Sequence, residues 1–67
     1  MNIYLNSTTV AVEKDFSLLE LLQQNGFAEK KGIAVAVNNS VISKLEWEKF
    51  ALNAEDKVLV ISATKGG

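Results

Sequence analysis

Few groups in this sequence can do chemistry, and the most accessible of them closes it. The chain ends Thr64-Lys65-Gly66-Gly67, and two residues without side chains make a slim segment able to enter a narrow site on another protein. Its reactive group is the α-carboxylate of Gly67. Elsewhere the inventory is bare. No cysteine is present, which removes disulfides, thiolate nucleophiles and thiolate metal sites. No histidine is present either, which removes the commonest general base and metal ligand. The chain is therefore read as no enzyme: no catalytic residue and no metal site are assigned. An inert terminus is the plain alternative, and the body that precedes the tail weighs against it.

A reactive tail needs a compact body to present it. With 67 residues, 48% of them hydrophobic, and no proline, the chain predicts one small domain over 1–64, with residues 65–67 as a flexible tail. Lysines and arginines number 7 against 8 acidic residues, scattered along the chain for a net charge of −1. Nucleic-acid binding calls for a basic stripe; Lys30-Lys31 is an isolated pair and reads as a solvated loop. The first residues lack the charged and apolar regions of a signal peptide, and no apolar run approaches a membrane span. A soluble, cytoplasmic protein with neither nucleic-acid nor membrane partners is expected.

Local patterns supply the elements. Met1, Ile3 and Leu5 alternate with Asn2, Tyr4 and Asn6, the period of a half-buried strand. Asn6-Ser7-Thr8 is turn chemistry, and Thr9 to Glu13 reads as the returning strand. Ser17-Leu18-Leu19-Glu20 is a capping box, with Phe16 and Leu21 placed for a hydrophobic staple. Leu18, Leu19, Leu21 and Leu22 fall within an arc of roughly 160°, and Asn25-Gly26 provides a left-handed stop. Ile33 to Val37 alternates branched residues with alanine, so the branched ones face a core. Asn38-Asn39-Ser40 turns the chain into a short strand, Val41-Ile42-Ser43. Lys44 to Phe50, which mixes Leu45, Trp47 and Phe50 with charged residues, suits a helical turn or an irregular segment pinned by its aromatics, with Trp47 as a core plug.

The last strand, Lys57 to Ala63, carries Val58-Leu59-Val60-Ile61, apolar on both faces. One helix covers one face of a sheet, so the other face becomes a docking surface for a partner. Leu59 and Ile61 are the docking candidates, with Val58 and Val60 inward; the opposite register would exchange the pairs. Tyr4, on the outward side of the first strand, is a further candidate. From Thr64 onward the tail can extend about 13 Å, enough to reach a buried site from a docked body.

Strand, strand, helix, strand, short strand and final strand is the order of the α+β β-grasp, or ubiquitin-like, fold: a mixed sheet of about five strands packed on one helix. Over its full length the chain resembles the sulfur carrier proteins of thiamine biosynthesis. The supporting stretches are Met1-Asn2-Ile3-Tyr4-Leu5-Asn6, Ser17-Leu18-Leu19-Glu20-Leu21-Leu22 and Ala34-Val35-Ala36-Val37-Asn38. Val41-Ile42-Ser43-Lys44, Trp47, Leu52, Asp56-Lys57-Val58 and the Gly66-Gly67 end complete the set. Glu55 departs from it, since the family usually has glycine there, and a changed turn type is expected.

The resemblance implies a carrier that is a co-substrate of other enzymes. A ubiquitin-activating-like adenylyltransferase would use ATP to adenylate the Gly67 carboxylate, and a sulfur-donating protein would convert it to a thiocarboxylate. That group would give its sulfur to a thiazole synthase. Gly66 would pass through the narrow site, and Lys65 would meet an acidic groove or the nucleotide phosphates, or stay solvated. No cofactor is held permanently. Three other readings fit the same residues: the small subunit of molybdopterin synthase, with the same thiocarboxylate chemistry; a protein modifier forming isopeptide bonds; and a plain β-grasp interaction module.

Overall fold

A computed structural model describes residues 1–62 of the chain. Its elements run β1 (Asn2–Leu5), β2 (Thr8–Ala11), α1 (Leu18–Gln24), β3 (Ile33–Val37), β4 (Ser40–Val41), a 3₁₀ turn (Lys44–Glu46) and β5 (Lys57–Ser62). The five strands form one sheet in the order β2-β1-β5-β3-β4. β5 lies between β1, to which it is parallel, and β3, to which it is antiparallel. A mixed sheet with parallel central strands and a single helix is the β-grasp arrangement. The expected continuation of the last strand to Ala63 and the domain limit at 64 lie outside the described residues.

The hairpin turns follow from side chains that tolerate left-handed backbone. Asn6 and Ser7 have φ of 49° and 71°, and Asn38 and Asn39 have 51° and 72°. Two consecutive positive-φ residues match the twist of the strands they join, and asparagine is among the residues that reach this region most readily. The first turn occupies only Asn6 and Ser7, so β2 starts at Thr8, one residue before its expected start, and ends at Ala11. β4 is likewise Ser40–Val41 and not Val41 to Ser43. The two-residue turn at Asn38-Asn39 brings Ser40 directly opposite Val37. Ile42 still donates its backbone N–H to Val35 at 2.8 Å, past the end of the strand.

The capping box forms as read. Ser17 Oγ accepts from the Glu20 backbone at 3.0 Å, and the Glu20 carboxylate accepts from the Ser17 backbone at 3.0 Å. Gly26, at φ 78°, ends the helix in the left-handed region. Leu18, Leu21 and Leu22 are fully buried against Ile3, Leu5, Val35, Val37 and Val58 of the sheet. Leu19 and Phe16 pack at the margin of this core.

The segment after β4 closes the open side of the core. Trp47 is 4% exposed, and its indole N–H donates to the Ile42 carbonyl at 3.0 Å, so the plug is both packed and satisfied. The carbonyls of Phe50 and Trp47 accept from Leu18 and Leu19 at 2.8 and 3.1 Å, supplying partners to amides that the first helical turn leaves open. Leu45 takes no part in this. It is 88% exposed, because it stands two residues before Trp47, and residues so spaced point to different sides of a helical turn.

Glu55 has φ 68°, the region that glycine favours. Glu55 thus takes a backbone conformation open to glycine at this position. The turn is held in place from both sides: Glu55 N–H donates to the Asn2 carbonyl at 2.6 Å, and Asp56 N–H to the Asn53 carbonyl at 3.1 Å.

Candidate functional site

The candidate site is the outer face of the sheet and the end of β5 from which the tail departs. The register of β5 decides which side chains point there. Val58 and Val60 pair with Val37 and Val35, which face the helix, whereas Leu59 and Ile61 pair with Ala36 and Ala34. Val58 is accordingly 2% exposed, and Leu59 and Ile61 are 49% and 51% exposed. The four apolar residues thus divide between core and outside in the register expected.

Small partners make the outer strip accessible. Ala34 and Ala36 rise little above the sheet, so Leu59 and Ile61 stand clear on β5. Tyr4, half-buried, pairs with Lys57 one strand over, on the same face. Between them lies an open groove of about 630 Å³, bordered by Tyr4, Asn6, Asn38, Glu55, Lys57 and Leu59. Val41 joins the strip from the other side, opposite Ala36 and 76% exposed. Sequence reading gave Val41 no functional place. The signal was there in its position: an apolar residue straight after a tight turn, on a strand too short to bury it.

Polar side chains extend the central strand toward the tail. Backbone pairing of β1 with β5 stops at Leu5 and Val58. Asn6 carries it on: its backbone N–H donates to Val58 at 2.9 Å, and its side-chain carbonyl accepts from the Val60 N–H at 2.8 Å. At the start of β5, Asp56 is buried and accepts from Asn38 Nδ2 at 2.9 Å and from the Asn53 N–H at 2.8 Å. The Asn38 side-chain carbonyl in turn accepts from Lys57 N–H at 3.0 Å. This clamp joins the β3–β4 turn to the strand that bears the tail.

Asp56→Ala removes the charged acceptor shared by two donors, Asn38 Nδ2 and the Asn53 N–H, and with it the centre of the clamp. It is expected to destabilise the fold by about 2–3 kcal/mol, lowering the midpoint of thermal unfolding by roughly 10–20 °C. Thermal denaturation followed by circular dichroism checks this; a midpoint unchanged from the parent would show that the clamp carries no stability.

Lys65, Gly66 and Gly67 lie outside the described residues. Among the described residues, no group of three or more acidic side chains is arranged to hold a metal ion, and no helix is long and apolar enough to cross a membrane.

Comparison with known proteins gives this geometry its context. Residues 2–67 match the family model described as the ThiS family. No curated protein sequence matches the chain. Among solved structures, the crystal structure of a thiamine biosynthesis protein (ThiS) from Geobacter metallireducens superposes with a TM-score of 0.84 at 22% identity, covering 100% of both chains. An NMR solution structure of a thiamine biosynthesis protein from the same organism gives a TM-score of 0.74 at 22% identity, covering 100% of this chain and 88% of the other. At that identity the two structures establish the shared fold.

Proposed function

The chain belongs to the ThiS family, and from that premise we propose that Gly67 is the atom-bearing end on which it carries sulfur. It is a sulfur carrier of thiamine biosynthesis and not a catalyst. The supporting observation is the family match itself, which runs through to Gly67 and so includes the Gly66-Gly67 pair.

The proposed chemistry follows from what a carboxylate lacks. Its charge is delocalised and its oxygen is a poor leaving group, so it must be activated before sulfur can replace oxygen. A Gly67 carboxylate oxygen attacks the α-phosphorus of ATP on a ubiquitin-activating-like adenylyltransferase, and pyrophosphate leaves. Hydrosulfide equivalents from a sulfur-donating protein then attack the acyl carbon. AMP departs with the carbon–oxygen bonding pair, and Gly67 is left as a thiocarboxylate. That sulfur, a soft nucleophile, passes to a thiazole synthase. ATP serves as the partner's co-substrate, no cofactor stays on the carrier, and the cytoplasm is the proposed compartment.

In this reading the body docks and the tail reacts. Leu59, Ile61 and Tyr4 meet the partner, Gly66 threads the narrow channel without a side chain to obstruct it, and Lys65 contacts the channel wall. The test is chain-dependent exchange of label between pyrophosphate and ATP by the host's adenylyltransferase. Exchange that rises with added chain supports the proposal; none, with an enzyme active on another carrier, rejects it.

Ile61→Asp separates docking from folding. Because Ile61 is half exposed beside Ala34, the substitution is expected to change stability by less than about 1 kcal/mol. It should raise the KM for the carrier in the exchange assay at least roughly tenfold by placing a charge in an apolar contact, with kcat little changed. An unaltered KM would remove Ile61 from the docking surface.

A further inference from the structure

We propose that Lys30, Lys31 and Lys44 form a cationic collar at the root of the tail that docks on an acidic rim of the adenylating partner; this rests on the tail chemistry proposed above. In sequence the Lys30-Lys31 pair is a solvated loop and Lys44 is far away. The fold brings them together. β3 begins at Ile33, and Ile33 pairs with Ser62 at the end of β5. The basic pair therefore stands beside the point where the chain leaves the sheet.

Lys44, the first residue of the 3₁₀ turn, lines the same cleft of about 380 Å³. Its apolar lining includes Ile33, Val41 and Trp47, and among the described residues its charged lining consists of the three lysines and no carboxylate. All three are exposed. The groove at the other end of the outer face carries Lys57 and Glu55 together, one of each sign. Glu29 adjoins Lys30 in sequence and Glu46 shares the turn of Lys44, yet neither lines the cleft, so in a chain of net charge −1 its lining is positive.

Distance decides what this charge meets. Residues 63–67, fully extended, span about 16 Å from Ser62 to the reacting carboxylate. That exceeds the reach of a charge in salt water, about 8 Å at physiological ionic strength. The collar is too far back to stabilise the departing pyrophosphate. It lies instead where the mouth of the partner's channel must be, and a protein surface complementary to it is acidic. Charges at such a rim govern encounter and partner choice more than the chemical step. The apolar lining with a cationic lip suits a segment carrying both an acidic and an apolar side chain.

The test compares the triple variant Lys30→Glu, Lys31→Glu, Lys44→Glu with the double variant Lys14→Glu, Lys49→Glu, whose positions do not line the cleft. Both are assayed with the host's adenylyltransferase by pyrophosphate exchange, across a series of salt concentrations. The triple variant is expected to raise KM for the carrier at least roughly tenfold, to keep kcat, and to lose most of the salt dependence of kcat/KM. The double variant should shift KM less than about twofold. A folded triple variant with parental KM and salt dependence overturns the proposal, and so does a fall in kcat at unchanged KM, which would place the lysines on the nucleotide. If the triple reversal does not fold, the lysine-to-glutamine triple replaces it, with a rise of roughly threefold expected and none overturning the proposal. A parental chain inert in the exchange would instead reject the tail chemistry itself, and the two failures are distinct.

Discussion

Leu21→Asp is expected to abolish the folded state. Leu21 is fully buried, in the seam between α1 and the sheet, and touches the cluster that holds the whole domain together. Removing the leucine side chain from such a position costs about 2–5 kcal/mol. Leaving a carboxylate there without a partner adds a penalty of several kcal/mol more, or forces the site open to water. A domain of this length holds only about 3–10 kcal/mol in total, and here no disulfide adds to it. The sum exceeds the reserve. Leu45→Asp is the matching control, the same chemical change at a residue 88% exposed, where less than about 0.5 kcal/mol is expected. Thermal melts followed by circular dichroism distinguish them. A cooperative transition retained in Leu21→Asp would mean that the helix does not seal the core as described.

Deleting Gly67 is expected to abolish sulfur loading while leaving the body intact. The buried members of the described core stop at Val58, and the body is expected to fold without the last residue. What changes is reach. A shortened tail ends on the Gly66 carboxylate, about 3.3 Å short of the position that its longer parent occupies. A displacement of about 1 Å at a reacting centre already costs around 100-fold in rate, so loading should fall by at least that factor. Adding a residue after Gly67 should fail for the opposite reason, since the carboxylate would overshoot the α-phosphorus. Parental loading by the shortened chain, measured by pyrophosphate exchange, would show that the carboxylate's position along the channel does not matter and would remove Gly67 from the mechanism.

What was legible in the sequence was mostly what is local. The capping box at Ser17 and Glu20, the left-handed stop at Gly26 and the alternation in Ile33–Val37 each depend on residues a few positions apart, and all three stand in the fold. The register of β5 was harder. Val58-Leu59-Val60-Ile61 has no internal alternation, so its facing rests on the neighbour: alanines on β3 leave room beside Leu59 and Ile61, while Val35 and Val37 draw Val60 and Val58 inward.

Non-local polar chemistry was not legible. Asn38 and Asn6 read as turn residues, which they are, yet each also holds a strand distant in sequence. Asn38 binds Asp56 and Lys57 across 18 and 19 positions, and Asn6 binds Val60 across 54. Leu45 is apolar like Trp47 and Phe50, but it stands two positions before Trp47, and residues so spaced point to different sides of a helical turn; with Trp47 in the core, Leu45 is outward. The basic cleft at Lys30, Lys31 and Lys44 likewise exists only once the segment after β4 packs beside the start of β3.

The most direct measurement of the central claim is the intact mass of the chain after incubation with its host's adenylyltransferase, ATP and a sulfur source. Replacement of one terminal oxygen by sulfur, localised to Gly67 by fragmentation, is the result that a thiocarboxylate carrier predicts. An unchanged mass, obtained with an enzyme shown to load another carrier, would contradict it.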